Sequence, residues 1–414
     1  MKNIIHTIAA SLALLMLFGS AQSRGEVMTK EQVIAEGDKM AEAQLAILKG
    51  NYWGRFWVDG VMWAGIADFA KISPKGSKYQ DEMEKMGNRG KWTLILNPKE
   101  PNHADDICIG YAFLDAYEKK KDPIMLQDVK ARLDQASDLI LSAEMEQKAA
   151  QAKNLPWNEG LTWYWCDALF MAPAVHARLS AITGDPKYLK AMHLEWKRTT
   201  DLLYDKEEHL FFRDAKYIPK LTKNGKKVFW ARGDGWVVGA LARVLPYIPK
   251  DDVLRPQYET LLREMCTKLA SIQRPDGTWS PSLLDPDQFP YSETSGTALD
   301  CFAIAWGINN KVLDEKTFRP VVAKAWAALL AARRPDGLLG YVQGIGSEPA
   351  AVRTDFTVWY AQGAFLLAAA QVAQMAPIDV PPAPTLTALP PSTPTPTPTP
   401  STTPAAPAAS PANK

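Results

Sequence analysis

Asp167 stands in the run Trp163-Tyr164-Trp165-Cys166-Asp167-Ala168-Leu169-Phe170-Met171-Ala172-Pro173, one carboxylate among tryptophan, tyrosine and phenylalanine rings. An ionised carboxylate is costly to desolvate without partners, so its pKa is expected to rise. A carboxyl with a raised pKa is what a general acid needs near neutral pH. The plainer role for an acid at a helix start is to complement the helix dipole. On this stretch alone the two roles are evenly matched.

Other acids sit at comparable places: Asp105, Asp106, Asp234, Glu293 and Asp355. Arg232, in Arg232-Gly233-Asp234-Gly235-Trp236, is the clearest fixed cation beside them, with Arg213 and Arg353 as further candidates. Carboxylates, aromatic walls and an arginine suit glycoside chemistry on an anionic sugar. The guanidinium fork grips a carboxylate, and Trp163, Trp165, Trp230 and Trp236 offer flat faces for pyranose rings. Taken singly, Asp105, Asp234 or Asp355 is more readily a helix cap than a catalyst. Asp167 with Arg232 and Trp236 is the subset assigned to function. His103 and His209 are candidate substrate contacts near the rim, while His176 and His193 have no ligand spacing. No His/Cys/Asp set forms a metal site, and neither a phosphate-binding loop nor a nucleophile elbow is present. No cofactor is expected.

These residues lie at the openings of similar elements. Apolar helices begin at Trp57, Asp106, Asp167, Asp234, Ser295 and Thr357, roughly every 60 residues, each paired with an amphipathic helix. The first amphipathic member is expected over 28–49 and later ones over 124–143, up to Leu203, 255–272 and 316–333. A second echo, Arg274-Pro275-Asp276-Gly277 and Arg334-Pro335-Asp336-Gly337, follows two of them. The apolar helices lack a polar face and should be covered on both sides, while the amphipathic ones face water. Six buried helices ringed by six outer ones make an all-α (α/α)6 toroid, with the inner-helix starts gathered at one end. A short hairpin is expected within 209–230, with Lys223-Asn224-Gly225-Lys226 as a turn. Residues 72–102, broken by glycine and proline, are expected to be a long connection.

The chain has 414 residues, 47% hydrophobic and 22% charged, with a formal net charge of +1. That is globular composition, and it lacks the basic surplus of a nucleic-acid binder. Residues 1–23 have the form of an export signal: Lys2, an apolar run from Ile8 to Phe18, and the small-x-small Ala21-Gln22-Ser23. A periplasmic or secreted location is therefore expected, with no membrane span in the mature chain. Four cysteines without paired spacing are expected to be buried thiols, although one disulfide stays open. Residues 24–376 form the expected catalytic domain. Residues 377–414, with the run Thr393-Pro394-Thr395-Pro396-Thr397-Pro398-Thr399-Pro400, are expected to be a disordered tail. The sequence leaves the oligomeric state open.

The segments Trp165-Cys166-Asp167-Ala168-Leu169-Phe170-Met171-Ala172-Pro173 and Trp230-Ala231-Arg232-Gly233-Asp234-Gly235-Trp236 together resemble glycoside hydrolase family 105, the unsaturated rhamnogalacturonyl hydrolases. The family 88 unsaturated glucuronyl hydrolases are their relatives. Asp105-Asp106 and Asp355-Phe356-Thr357 fit the same pattern, and the resemblance covers roughly 30–375. It implies an (α/α)6 barrel that removes a 4,5-unsaturated uronic acid from the non-reducing end of pectin-derived oligosaccharides. In that mechanism an aspartic acid protonates C4, water adds at C5, and the hemiketal collapses. The resemblance implies Asp167 as acid/base, Asp105 or Asp106 as the second acid, and Arg232 and Trp236 as substrate contacts. Family members often carry Asn in place of Asp234, which here adds a negative charge. Many also have a histidine where this chain reads Phe211-Phe212-Arg213-Asp214, so Arg213 or His209 is the expected substitute. The competing expectations are an unsaturated glucuronyl hydrolase, another (α/α)6 glycosidase or lyase, and a non-catalytic carbohydrate-binding protein.

Overall fold

The computed structural model describes residues 25–48, 54–95, 102–154 and 160–391. The leader, the Tyr52-Trp53 pair and the Thr-Pro run lie outside the described residues. The order of helices is α1 (Lys30–Ile47), α2 (Trp57–Phe69), α3 (Gly76–Arg89), α4 (Ala104–Ile107), α5 (Gly110–Lys120), α6 (Ile124–Ile140), α7 (Ala143–Ala150), α8 (Ala168–Met171), α9 (Pro173–Thr183), α10 (Pro186–Leu203), α11 (Ala231–Val244), α12 (Arg255–Ser271), α13 (Thr294–Asn309), α14 (Glu315–Ala331) and α15 (Trp359–Met375). Strands are short: β1 (Glu26–Met28), β2 (Tyr204–Asp205), β3 (Leu210–Phe211) and β4 (Ile378–Val380).

The inner ring runs α2, α4–α5, α8–α9, α11, α13, α15; each member packs on the next, and α15 returns to α2. Helices α1, α3, α6, α10, α12 and α14 cover it from outside. The pattern of side chains explains the division. Every residue of α11 is buried, as is α13 from Thr294 to Ile308, because neither has a polar stripe to turn toward water. Helix α10 buries Tyr188, Ala191, Met192, Trp196, Thr199 and Leu203 along one face and leaves its lysines outside. Its start is set locally: Gly184 takes a left-handed φ of 72°, the Asp185 carboxylate accepts the Lys187 N–H, and Pro186 needs no hydrogen bond there.

The expected toroid is therefore present, with three differences. Residues 76–89 are the outer helix α3 rather than part of a long connection. Tyr79, Met83 and Met86 recur at helical spacing and are buried, while Gly87 lies where a Cβ would strike the Trp92 ring. The glycines that suggested a loop are close-packing sites. The helix expected to open at Asp167 is interrupted, with α8 ending before Pro173, whose ring cannot supply the next N–H. The helix after Asp106 is likewise split into α4 and α5. Lastly, the tail does not leave the fold at Pro377. β4 pairs antiparallel with β1, Glu26 opposite Val380 and Met28 opposite Ile378, and the chain stays docked as far as Leu389, whose N–H donates to Val352 O. Ile378 and Val380 are buried on alternating positions, a strand signal too short to stand out beside so many prolines.

Ring closure is tightest between α2 and α15. A Cβ on Gly65 would lie 2.2 Å from Gly363 O, and one on Gly363 would lie 2.3 Å from Val61 O. Backbone meets backbone there, and neither partner can move without shifting a whole helix. Gly363→Ala is expected to destabilise the protein by about 1–3 kcal/mol despite alanine's better helix propensity. Denaturant unfolding measures it; an unchanged midpoint would mean that the two helices are not locked at this point.

Candidate active site

Asp167 caps α8, and its neighbours pair with the segment that follows a small hairpin. β2 and β3 match Tyr204 with Phe211 and Asp205 with Leu210. The Phe212 N–H donates to Leu203 O (3.0 Å), and the chain then meets the Asp167 segment in an antiparallel bridge between Trp165 and Asp214. The Cys166 N–H donates to Arg213 O (2.8 Å). This pairing brings Arg213 over Asp167, with Nε 3.5 Å from Oδ2, while Nη1 donates to the fully buried Asp214 carboxylate (2.8 Å). The Cys166 thiol, pushed well up by burial and the adjacent Asp167 charge, keeps its proton and donates to Asp167 Oδ2 (3.4 Å).

Asp105, in the first turn of α4, belongs to the same cluster. Burial, the charge of Asp167 and that of Asp106 push its carboxyl up to about 7, against the opposing pull of Arg213. The Asp105 N–H donates to His103 Nδ1 (3.3 Å), and the His103 ring packs 4.8 Å from Trp165. Asp106 is buried beside it. Two acids that cannot both ionise cheaply, a guanidinium and an aromatic wall thus meet at the inner-helix starts. A carboxyl raised toward neutral pH is what general acid chemistry requires. Burial acts first on Asp105 and its like-charged neighbours add to it, which marks this carboxyl as a raised acid of the cluster.

Several expected site residues have partners within the protein. Arg232 is buried, with Nη1 donating to Gln343 O (2.8 Å) and Nη2 to Gly344 O (2.7 Å), and it lies over the rings of Trp230 and Tyr360. Its fork is occupied by main chain. Trp236 is core, packed against Trp57, Phe170 and Tyr360. Trp163 packs on His176, and Trp230 donates to Gln343 Oε1 (3.0 Å); both are buried. His209 sits in the β2–β3 turn at a φ of 56°, hydrogen-bonded to Tyr204 and facing Glu264, away from the acids. Apolar helix starts do not distinguish a ring face that lines a pocket from one that packs a neighbour.

Asp234 and Glu293 are also structural. Asp234 Oδ1 accepts the Phe211 N–H (2.7 Å), tying α11 to the strand two residues before Arg213. Complete burial, eased by that hydrogen bond and reinforced by Asp167, holds its carboxyl well above the usual range. Glu293 caps α13 through the Ser295 and Gly296 N–H groups and accepts the Gln343 N–H (3.0 Å). Asp214 and Cys166, which orient Arg213 and Asp167, have no sequence signal beyond adjacency. All four cysteines are buried and free. Among the described residues, no helix is long and apolar enough to cross a membrane.

Residues 27–376 match the family model described as Glycosyl Hydrolase Family 88. The unsaturated 3S-rhamnoglycuronyl hydrolase of Formosa agariphila is 34% identical over 384 residues, spanning 88% of this chain and 97% of that protein. A family 88 glycosyl hydrolase from Bacteroides vulgatus superposes with a TM-score of 0.75 at 28% identity, covering 84% of this chain and 99% of that one. A solved chain described as a polysaccharide lyase superposes with a TM-score of 0.73 at 30% identity, covering 84% and 98%. The ring of hairpins, the acids gathered at its inner-helix starts and the match over nearly the whole described chain agree: the chain belongs to glycosyl hydrolase family 88.

Proposed function

We propose that this glycosyl hydrolase releases a 4,5-unsaturated uronic acid from the non-reducing end of rhamnose-containing oligosaccharides, including rhamnogalacturonan fragments of pectin. The observation that carries the reading is the Asp105–Asp167 pair, with one carboxyl raised to about 7 and the other ion-paired to Arg213. Protonation of an enol-ether carbon is slow, so a positioned acid is the main requirement. The raised Asp105 carboxyl lets the pair hold a proton near neutral pH. One member delivers it to C4 and the other draws a proton from the water that adds at C5. The hemiketal so formed breaks to a keto acid and frees the next sugar, with no net proton consumed. Arg213, lying against Asp167, is the cation placed to meet the uronate carboxylate. The names of relatives support rhamnose as the neighbouring sugar. The leader supports export to the periplasm or medium.

The decisive assay follows the ultraviolet absorbance of the unsaturated uronate on lyase-digested rhamnogalacturonan and on other digests with rhamnose beside the uronate. Loss of absorbance with sugar release supports the proposal. A gain on intact polymer would make the protein a lyase, and binding without change would leave only recognition.

Asp167→Asn and Asp105→Asn are each expected to lower turnover by at least about 10²–10⁴-fold with the fold intact. Near wild-type turnover in either variant would remove that residue from the chemistry. The acidic form of Asp105 is the working one, so kcat/KM should be present below its pKa and fall as pH rises through about 7. A profile flat across about pH 6–8 would contradict that assignment.

The two arginines separate by readout. Arg213→Lys keeps the charge but loses the fork, and should impair the uronide more than its carboxyl-reduced analogue; equal impairment would exclude carboxylate recognition. Arg232→Ala strips donors from two loop carbonyls and is expected to cost about 1–3 kcal/mol of stability, seen in thermal unfolding.

A further inference from the structure

After β4 the chain continues to the end of the ring that holds the acids. There the Ser292 N–H donates to Thr387 O (2.7 Å), and the Thr387 N–H donates back to Ser292 Oγ (2.9 Å). The Leu389 N–H donates to Val352 O (2.8 Å), and the Thr354 N–H donates to Leu389 O (3.0 Å). Residues 385–389 therefore cross two loops, one ending at the Glu293 cap and the other spanning 341–357. Leu386 packs partly buried against the core. Prolines 381, 382, 384, 390 and 391 bias the run toward extended backbone, which reduces the entropy lost on docking.

The 341–357 loop is held from two sides. Inside, Arg232 grips Gln343 O and Gly344 O, and the Tyr360 hydroxyl donates to Gln343 O. Outside, the 352–354 limb pairs with Leu389, while the Tyr341 and Val342 N–H groups donate to Thr354 O (3.2 Å) and Phe356 O (3.3 Å) from within the loop. Across the mouth the loop meets the segment that begins at Arg213: Ser347 Oγ lies 3.4 Å from Tyr217 Oη, and Lys220 pairs with Glu348 (2.7 Å). A continuous set of contacts runs from the strap through the loop to the 213–220 segment.

We propose that residues 385–389 are a positioning strap for the active site, setting the 341–357 loop and through it the segment that carries Arg213. The ring itself does not need them, since α15 closes on α2 and β4 pairs with β1 ahead of the strap. What they supply is main-chain pairing for the outer limb of the loop at Val352 and Thr354, added to its pairing with 341–342; a loop limb with few such bonds opens at low free energy. A mouth that drifts weakens substrate binding while leaving the acids on their helices.

The test compares the full chain with truncation after Pro391, truncation after Pro384, and Leu389→Pro, which removes the N–H that donates to Val352 O. Truncation after Pro391 should match the full chain. The other two should raise hydrogen exchange in 341–357 and 213–220 by about tenfold, the scale of one or two lost net hydrogen bonds. Inner-helix protection should hold, and KM should rise on the order of tenfold with kcat little changed. Unchanged exchange in 341–357 overturns the proposal. So does loosening that spreads through the inner helices with a fall in Tm, because the strap would then be part of the fold alone. The kinetic arm rests on the functional reading above, whereas exchange is measured without substrate. A protein that hydrolyses no uronide but shows the localised exchange would refute that reading and leave the strap standing.

Discussion

The backbone contact between α2 and α15 at Gly65 and Gly363 is what the remaining geometry depends on. Without it the six hairpins would form an open solenoid, and the inner helices at each end would expose an apolar face. Closure turns a repeated two-helix unit into a ring whose inner starts all point to one end. Asp105 and Asp167 come from separate hairpins, and only a closed ring fixes their approach. Glycine is required on both sides because any Cβ would meet main chain.

The two ends of the ring use charge differently. At the far end, Arg178 is buried over Tyr111 and pairs with Asp115 (2.9 Å), which also accepts from Lys119. Arg243 lies between the rings of Tyr111 and Phe170. The Arg178–Asp115 pair is matched and enclosed, while Arg243 donates to Phe170 O (3.2 Å). Fixed cations hold Asp115 below the usual carboxylate range against its burial, so it is an ion-pair member rather than an acid. At the near end several carboxylates gather about Arg213, which pairs with Asp167 and Asp214. Burial and the charges of Asp167 and Asp106 raise the Asp105 carboxyl against the pull of that guanidinium.

Buried acids that accept main-chain and guanidinium hydrogen bonds give the site rigidity. Asp234 anchors the hairpin before Arg213, Asp214 fixes the guanidinium, and Glu293 ties α13 to the Gln343 loop. Each satisfies buried main-chain donors that would otherwise be unpaired. Their substitution would shift Arg213 and the loop at Gln343 without removing a group from the Asp105–Asp167 cluster.

The sequence by itself determined the architecture. A roughly 60-residue recurrence of apolar and amphipathic helices admits few arrangements other than a closed double ring, because the apolar members must be covered on every side. It also located Asp167 and the Asp105-Asp106 pair, since acids at inner-helix starts are confined to one end of such a ring. Tertiary structure alone decided the rest. Arg232 and Trp236 stand at a helix start as Asp167 does, but they point into the loop and core, a rotation that helical spacing does not encode. Arg213 reaches the site through strand pairing between 165–166 and 213–214, and contacts across such separations leave no local pattern. Which carboxyl keeps a proton depends on the distances among three acids and one guanidinium. The short β4 strand and the strap beyond it were masked by proline-rich composition, because their order comes from partners at 26–28, 292 and 352–354 rather than from their own residues.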